Sequence, residues 1–304
     1  MIEYVFYIIH YLHDLLGPLT PVVFGTSISL IVVLIARQFE KRWPIDPDLP
    51  RSEVLSDWIV TGINVTLGWV ATPLTAICST AIVNAAGGGF IHLRSDGWWY
   101  GVSLLGFILI ADLYRYTIHR LYHAVPFLWA LHSFHHSAEA MTFVTGARHH
   151  WIDRVMEGAC FPVMAILFKV PPEILTASAF IIFLPDGCAH LNVRLPLGRA
   201  ITWLNSPQWH RIHHSTQPEH FNKNFASALP IWDFVFGTAW IPRENEYPAT
   251  GLVPGEKCDV LTSIIWPFRH YVRGRQLRLP TWPRLENSAA MRKVFAKVSG
   301  TQNT

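Results

Sequence analysis

Histidines at metal-ligand spacing are the residues of this sequence that could do chemistry. Eight of its 16 histidines fall into three short boxes. The boxes are His119-x-x-x-His123, His132-x-x-His135-His136 and His210-x-x-His213-His214. Residues three and four positions apart share one face of an α-helix, so each box directs several imidazoles towards one point. Imidazole binds iron, zinc, copper and nickel, and the spacing therefore predicts a metal site.

The number of histidines indicates more than one metal ion. A structural zinc site uses four ligands, whereas eight to ten imidazoles are enough for two ions. His190 is predicted as a ninth ligand. His150 is left open between a tenth ligand and a supporting or structural role, with His149 as its weaker neighbour. Three histidines outside any box are expected at the surface or an interface: His92, His220 and His270.

Carboxylates near the boxes are candidates for orienting the ligand rings. A carboxylate does this by accepting the outer N–H of an imidazole. The candidates are Asp112, Glu139, Asp153, Asp186 and Asp233. Asp186 and Asp233 lie in apolar stretches, where a buried charge needs a partner.

The composition is that of a membrane protein. Hydrophobic residues make up 51% of the 304 residues and charged residues only 15%, against about 25% charged residues in a soluble domain. Thirteen Trp and nine Tyr suit the two membrane interfaces. A net charge of +3 without a basic stripe gives no reason to expect a nucleic-acid partner. The four cysteines form no C-x-x-C pair and are predicted to be reduced and structural.

Three apolar stretches predict transmembrane helices, at 19–36, 58–83 and 98–116, after a short interfacial helix at 4–16. About 20 apolar residues cross a bilayer. No Lys or Arg precedes residue 37, and three follow between 37 and 42. The positive-inside rule therefore places the N-terminus outside and the end of the third span in the cytoplasm, where it delivers the first box.

A fourth apolar stretch, 155–185, is split by Pro171 and Pro172. A straight crossing would leave His150 and His190 on opposite faces of the membrane. A proline-broken hairpin of two short arms keeps both on the cytoplasmic side. We favour the hairpin because it brings the histidines together. Pro126 is expected to end or bend the third span's helix before the second box.

With these features the sequence resembles the fatty acid hydroxylase/sterol desaturase superfamily of integral-membrane di-iron enzymes. The resemblance covers residues 112–238, about half of the chain. It rests on these motifs: D-x-x-x-x-x-x-H-R-x-x-H (112–123), H-S-F-H-H-S (132–137), R-x-H-x-x-D (148–153), H-x-N (190–192), S-P-x-x-H-R-x-H-H (206–214) and N-F-x-x-x-L-P-x-W-D-x-x-F-G-T (224–238). The chain departs from the family at Trp151 and Asp153, where R-x-H-P-x-E is common.

The resemblance implies O2-dependent attack on an unactivated C–H bond of a lipid, by hydroxylation, desaturation or ether-bond oxidation. Two iron ions would be the cofactors. The implied ligands are His119, His123, His132, His135, His136, His190, His210, His213 and His214, with His150 as a tenth. Asn192 would lie beside the ligands or face the substrate. Sterols, sphingoid bases, fatty acyl chains, ornithine lipids and carotenoids all stay open as substrates.

Electrons would come from a separate redox partner of the cytochrome b5, ferredoxin or reductase type. The sequence itself contains no Rossmann G-x-G-x-x-G element and no flavin motif. The sequence gives no prediction of oligomeric state.

The predicted fold is an all-α integral membrane protein. It has about three spans and the hairpin, with a cytoplasmic helical cap that carries the boxes. Residues 1–97 are predicted as an N-terminal membrane region, 98–241 as the hydroxylase-like di-iron domain and 242–304 as a polar cytoplasmic tail.

Two other functions compete with an enzyme. A metal transporter or store would need polar residues along a path inside the spans. Here the spans are nearly free of charge and the boxes lie beyond their ends. A metal-binding protein without catalysis would have the same boxes and stays open.

His135 tests the ligand assignment. Replacing it by alanine should abolish lipid product and leave membrane insertion intact, because the ring lies in a box outside the spans. Product analysis and membrane fractionation of the His135→Ala protein measure the two effects. Wild-type product formation by this variant would contradict the assignment.

Overall fold

A computed structural model describes residues 17, 20–195, 197–252 and 265–266. The predicted interfacial helix at 4–16, His270 and most of the predicted tail lie outside the described residues. The described part is mostly helical, as predicted. Its α-helices are α1 Thr20–Arg42, α2 Arg51–Ala85, α3 Trp99–Ala124, α4 Pro126–His136, α5 Trp151–Leu167, α6 Pro172–Cys188, α7 Pro207–His213 and α8 Ile231–Val235.

One helix of the described part, α3, is long and apolar enough to cross a membrane. It corresponds to the third predicted span. Helices α1 and α2 cover the other two predicted spans and expose many apolar side chains, among them Ile31 and Leu34 of α1 and Leu74 and Ile77 of α2. The number of spans stays a prediction.

Pro126 separates the first two boxes, as the sequence predicted. Helix α3 continues to Ala124, eight residues beyond the predicted end of the span, and α4 begins at Pro126. A proline at the first position of a helix lacks only an N–H that would have no intrahelical partner. The chain can therefore turn between two histidine-bearing helices without losing a helical hydrogen bond.

The second proline break lies between α5 and α6. Helix α5 ends at Leu167, and α6 begins at Pro172. Between them strand β2, Phe168–Lys169, pairs in parallel with strand β1, Ile91–His92. The N-terminal end of α5 and the C-terminal end of α6 both lead to the histidines, which is the arrangement the hairpin prediction required.

A glycine permits the close approach at this sheet. Gly89 has a φ of +80°, and a Cβ there would lie 3.0 Å from the Cβ of Lys169. Its N–H donates to the carbonyl of Ile166 at 2.9 Å. Any larger residue would push the start of β1 away from β2.

Buried polar side chains tie the N-terminal helices to the segments around the histidines. Glu40 of α1 is 2% exposed. Its carboxylate accepts the backbone N–H of Phe143 at 2.7 Å and that of Asn192 at 3.2 Å, and it pairs with Arg37 at 2.8 Å. The end of α1 therefore holds both the segment before α5 and the segment after α6.

A buried ion pair makes the same connection from α2. The Nε of Arg148 lies 2.7 Å from a carboxylate oxygen of Asp57, with side chains 3% and 5% exposed. The other guanidinium nitrogens donate to the carbonyl of Phe134 and to Ser137 Oγ. Arg148 thus links α2 to the end of α4, where the second box lies.

Removing this guanidinium should destabilise the fold strongly. We expect Arg148→Met to lower the free energy of unfolding by about 3 kcal/mol or more, because it leaves the Asp57 carboxylate buried without its counter-ion. Thermal unfolding in detergent measures the loss.

Arg115→Met is the matched control. Arg115 pairs with Asp186 at 2.7 Å, but both side chains are about a third exposed, so its loss should cost about 1 kcal/mol or less. Equal destabilisation by the two variants would contradict the role of the buried pair.

Candidate metal centre

Two groups of histidines, all buried except the half-buried His119, lie side by side at the end of α3. The first contains His119, His123, His132, His136 and His213, and the second contains His135, His190, His210 and His214. Within each group, one ring nitrogen per residue lies within 4.8 Å of all the others. The rings of His136 and His214 stack at 4.3 Å across the two groups. Nine of the ten histidines proposed from the sequence are therefore brought together.

Each H-x-x-H-H box serves both groups. In the second box the i and i+4 histidines, His132 and His136, join the first group, and the i+3 residue joins the second. The third box reverses this assignment: His210 and His214 join the second group, and His213 joins the first. On a helix the i+3 and i+4 side chains point to opposite sides of residue i, so one box can face two centres.

Ring nitrogens of the second group are spaced as ligands of one ion would be. His190 Nε2 lies 3.1 Å from His135 Nε2 and 3.0 Å from His210 Nε2, which is 3.2 Å from His214 Nε2. A ring nitrogen offers one proton or one lone pair, so His190 Nε2 cannot make two ordinary hydrogen bonds here. Nitrogens about 2.1 Å from a shared metal would lie about 3.0–3.4 Å apart. The donor set fits a cation.

The first group shows the same fit through its unpartnered nitrogens. His119 Nδ1 lies 2.9 Å from the carbonyl oxygen of Phe225, and His213 Nδ1 lies 2.8 Å from that of Lys223. A carbonyl only accepts, so each Nδ1 carries the proton and each Nε2 carries the lone pair. Both Nε2 atoms are buried and have no hydrogen-bond partner among the described residues. A metal ion would use these lone pairs.

The two carbonyls belong to a strap, residues 222–229, which is held from both sides. Asp233 accepts the N–H groups of Phe225 and Ala226 at 2.8 and 3.0 Å. Asp112 of α3 accepts those of Ala228 and Leu229, both at 3.1 Å. These two carboxylates were expected to contact ligand rings directly. They instead fix the backbone whose carbonyl groups orient the rings.

Two asparagines give the strap its shape. Asn222 and Asn224 both have a φ of +58°, a left-handed conformation that asparagine tolerates better than most residues. The Asn224 amide donates to the carbonyl of Trp209 at 3.0 Å and accepts the N–H of Trp240 at 2.7 Å. Lys223, between the asparagines, is thereby turned so that its carbonyl meets His213.

Burial keeps the histidines neutral. It lowers the pKa of His213 to about 3 and, together with neighbouring histidines, that of His190 to about 3. Burial lowers the pKa of four more well below its usual value: His135, His136, His210 and His214. A metal ion binds the neutral imidazole, so these rings can bind an ion without first releasing a proton. Burial also raises the pKa of Asp233 to about 6, against the hydrogen bonds it accepts.

His149, rather than His150, lies beside the two groups. His149 Nδ1 is 2.8 Å from Asp153 Oδ2, and His132 Nδ1 is 3.7 Å from the same oxygen. His150 Nδ1 accepts the N–H of Ile152 at 3.3 Å at the start of α5, and its ring belongs to neither group. The position of His150 at the start of α5 corresponds to the structural role that the sequence had left open. The i, i+4 spacing of His149 and Asp153 was the signal that could have identified the pair.

Three other residues singled out from the sequence lie elsewhere. The Asn192 side chain accepts the N–H groups of Ile45 and Asp46 at 3.1 and 2.9 Å, so it braces the loop after α1. The Asp186 carboxylate pairs with Arg115. Glu139 is exposed.

The expectation for the histidines outside the boxes was right for one of the two described. His92 is exposed. His220 was expected at the surface or an interface but is 1% exposed. Its Nδ1 lies 2.9 Å from Ser215 Oγ, and its Nε2 lies 3.5 Å from Glu246. A buried polar cluster therefore encloses this ring, a placement that box spacing alone could not indicate.

Comparison with known proteins places this site in a family. Residues 104–238 match the fatty acid hydroxylase family, and this stretch includes most of α3, all three boxes, His190 and the strap. Over these residues the chain is therefore similar to the fatty acid hydroxylase family, the resemblance that the motifs indicated.

Several curated proteins are similar to part of the chain. The chain is 32% identical to an alkylglycerol monooxygenase of Xenopus tropicalis over 149 residues, which are 49% of this chain and 31% of the relative. It is 27% identical to the ornithine lipid hydroxylase OlsE of Rhizobium tropici over 215 residues, 68% of this chain and 65% of the relative. Methylsterol monooxygenase 1 of Rattus norvegicus is 26% identical over 148 residues, 48% of this chain and 49% of the relative.

These matches cover only part of each relative. The chain spans about a third of the length of the alkylglycerol monooxygenases it matches. No solved structure matches it significantly.

The buried neutral histidines predict how the metal-free protein responds to acid. Unfolded histidine takes up a proton near pH 6.5, whereas His190 and His213 in the folded chain do so only near pH 3. Below pH 6.5 the unfolded state therefore binds more protons. Stability should be fully present above that pH and fall by about 1.4 kcal/mol per pH unit for each such ring.

Denaturant unfolding of the chelator-treated protein between pH 7.5 and 4.5 measures this slope. The His213→Phe protein is the comparison. Its stability should change less steeply with pH, by about 1.4 kcal/mol per pH unit, because it has one buried histidine fewer. A stability that does not change over this range would contradict the burial of neutral rings.

Proposed function

We propose that this protein is a membrane-bound, O2-dependent di-iron oxidoreductase that hydroxylates or desaturates a lipid. The observation that carries the proposal is the sharing of both H-x-x-H-H boxes between two adjacent, buried histidine groups. Because each of these boxes contributes ligands to both groups, the groups would hold two ions close together. A single structural metal site would need only one such group. The names of the relatives, two monooxygenases and a hydroxylase, support the same class of reaction.

The nine grouped histidines would hold the two ions, the first group one ion and the second group the other. Iron bound there would supply the O2 activation and the oxidising power that amino-acid side chains lack. The chain's own contribution is to keep every imidazole neutral, to fix the proton on the nitrogen that faces away from the ion, and to exclude water from the ligands. The strap performs the second task for His119 and His213.

The substrate would reach the centre along α3 and α6. Helix α3 runs through its apolar length to His119 and His123, and α6 ends two residues before His190. Both helices expose large apolar side chains, among them Leu105 of α3 and Phe180 of α6. An alkyl chain lying against them would have one end beside the histidines. This supports a lipid from the membrane as the substrate.

The arrangement in the membrane and the electron supply complete the proposal. Three spans and the α5–α6 hairpin would place the boxes on the cytoplasmic side, because the first basic cluster lies at 37–42. Residues 1–97 would form the membrane region, 98–241 the catalytic domain and 242–304 a cytoplasmic tail. A cytochrome b5-, ferredoxin- or reductase-type partner would deliver electrons there.

Metal content and lipid analysis test the proposal together. The purified wild-type protein should contain about two iron ions per chain. A deletion strain should lack a lipid that differs from its precursor by one oxygen or two hydrogens. Wild-type DNA should restore that lipid, and His214→Ala should not.

His92→Ala is the matched control, because His92 is an exposed histidine outside both groups; it should restore the lipid fully. Restoration by His214→Ala would overturn the assignment. A protein that holds iron but consumes no O2 after anaerobic reduction, in the presence of a membrane-lipid extract and a chemical electron donor, would instead be a catalytically silent metal-binding protein.

A further inference from the structure

A buried carboxylate lies against the first histidine group. Asp153, in the first turn of α5, is 1% exposed. Its Oδ2 is 2.8 Å from His149 Nδ1 and 3.7 Å from His132 Nδ1. Its Oδ1 is buried and has no hydrogen-bond partner among the described residues. The orientation of the carboxylate therefore depends on these two imidazoles.

His149, which donates to Asp153, also contacts the second histidine group. The ring of His149 stacks on that of His135, with centroids 4.3 Å apart and planes inclined by 13°. Asn64 of α2 holds the backbone of His149 by donating to its carbonyl at 2.6 Å. His149 is thus clamped between Asp153 and a ring of the second group.

The contacts with Asp153 determine which nitrogen of each imidazole faces the carboxylate. A carboxylate accepts protons, so His149 Nδ1 donates to Asp153, and His132 Nδ1 faces the same oxygen. The Nε2 of His132 is then the nitrogen left for an ion in the first group. A carboxylate behind a ligand ring orients the ring and makes it a stronger donor to the metal. The stack does something different for His135, because it limits rotation of that ring without touching its nitrogens.

We propose that Asp153 and His149 form a positioning pair that acts on both centres. Asp153 sets the ring of His132 in the first group, and His149 supports the ring of His135 in the second. The pair couples the two sites, so that weakening it releases both ions faster. This inference rests on the proposed function, because it requires that the two groups hold metal.

Two substitutions at His149 separate its two contacts. His149→Asn keeps a side-chain N–H near the position of Nδ1 that can donate to Asp153 but removes the aromatic stack, so it should disturb mainly the second site. His149→Phe keeps a flat ring against His135 but removes the hydrogen bond, so it should disturb mainly the first site through Asp153 and His132. Asp153→Asn should disturb both sites, and Asp153→Glu, which restores the charge, should recover part of the loss.

Cobalt is the probe because it reports each site without turnover. The full-length protein, stripped of metal, is loaded with Co²⁺, and the visible absorption spectrum and the release of Co²⁺ to a chelator are followed. Release from Asp153→Asn should be about 10- to 100-fold faster for both ions, the usual effect of losing such a carboxylate. Each His149 variant should change one release phase and its associated absorption bands. Asp96→Asn, at an exposed carboxylate that pairs with Arg94 and lies outside both groups, should leave both phases unchanged.

Three outcomes decide the matter. Wild-type spectra and release rates for Asp153→Asn and both His149 variants would overturn the positioning pair and leave the proposed function standing. A wild-type protein that takes up no Co²⁺ would overturn both proposals. If Asp153→Asn does not fold, as judged by gel filtration in detergent, the two His149 variants decide: identical effects of Asn and Phe on the two release phases would contradict the separate roles.

Discussion

Burying nine imidazoles against one another is the constraint on which the rest of this structure depends. Each ring offers a lone pair that water can no longer reach, and several of these nitrogens lie 3.0–3.2 Å apart. Hydrogen bonds among the rings cannot satisfy such an array, since each nitrogen has a single proton or a single lone pair. Shared cations can satisfy it. The surrounding fold must then hold the rings neutral and in one orientation.

Backbone carbonyl groups carry out much of that orientation. The strap at 222–229 presents carbonyls to His119 and His213, and the carbonyl of Arg148 lies 3.3 Å from His135 Nδ1. Asp112 and Asp233 act one step further away, on the N–H groups of the strap. A backbone carbonyl is uncharged. Asp112 and Asp233 can therefore fix the ligand rings through the strap without placing a negative charge next to the metal ions. Asp153 is the exception, because its carboxylate faces the rings directly.

Local spacing was sufficient for much of the prediction. The boxes, the break at Pro126 and the break at Pro171–Pro172 depend on helix geometry and proline chemistry, which act over a few residues. Which of His149 and His150 lies beside the groups depends instead on contacts between distant segments. One such contact is the hydrogen bond from Asn64 on α2, 85 residues away, to the carbonyl of His149. The contacts of Asn192 depend on the tertiary structure in the same way, because its partners, Ile45 and Asp46, lie far away in the sequence.

The sequence by itself determined the class of site: eight histidines at helical spacing beside an apolar span, within motifs of one enzyme superfamily. Only the tertiary structure decided how those histidines divide. The second and third boxes have identical spacing, yet they assign their i, i+4 pairs to opposite groups. Spacing shows which side chains lie on one side of a helix. Which centre that side faces is decided by the direction in which α4 and α7 approach each other, and that direction depends on contacts made by the whole chain.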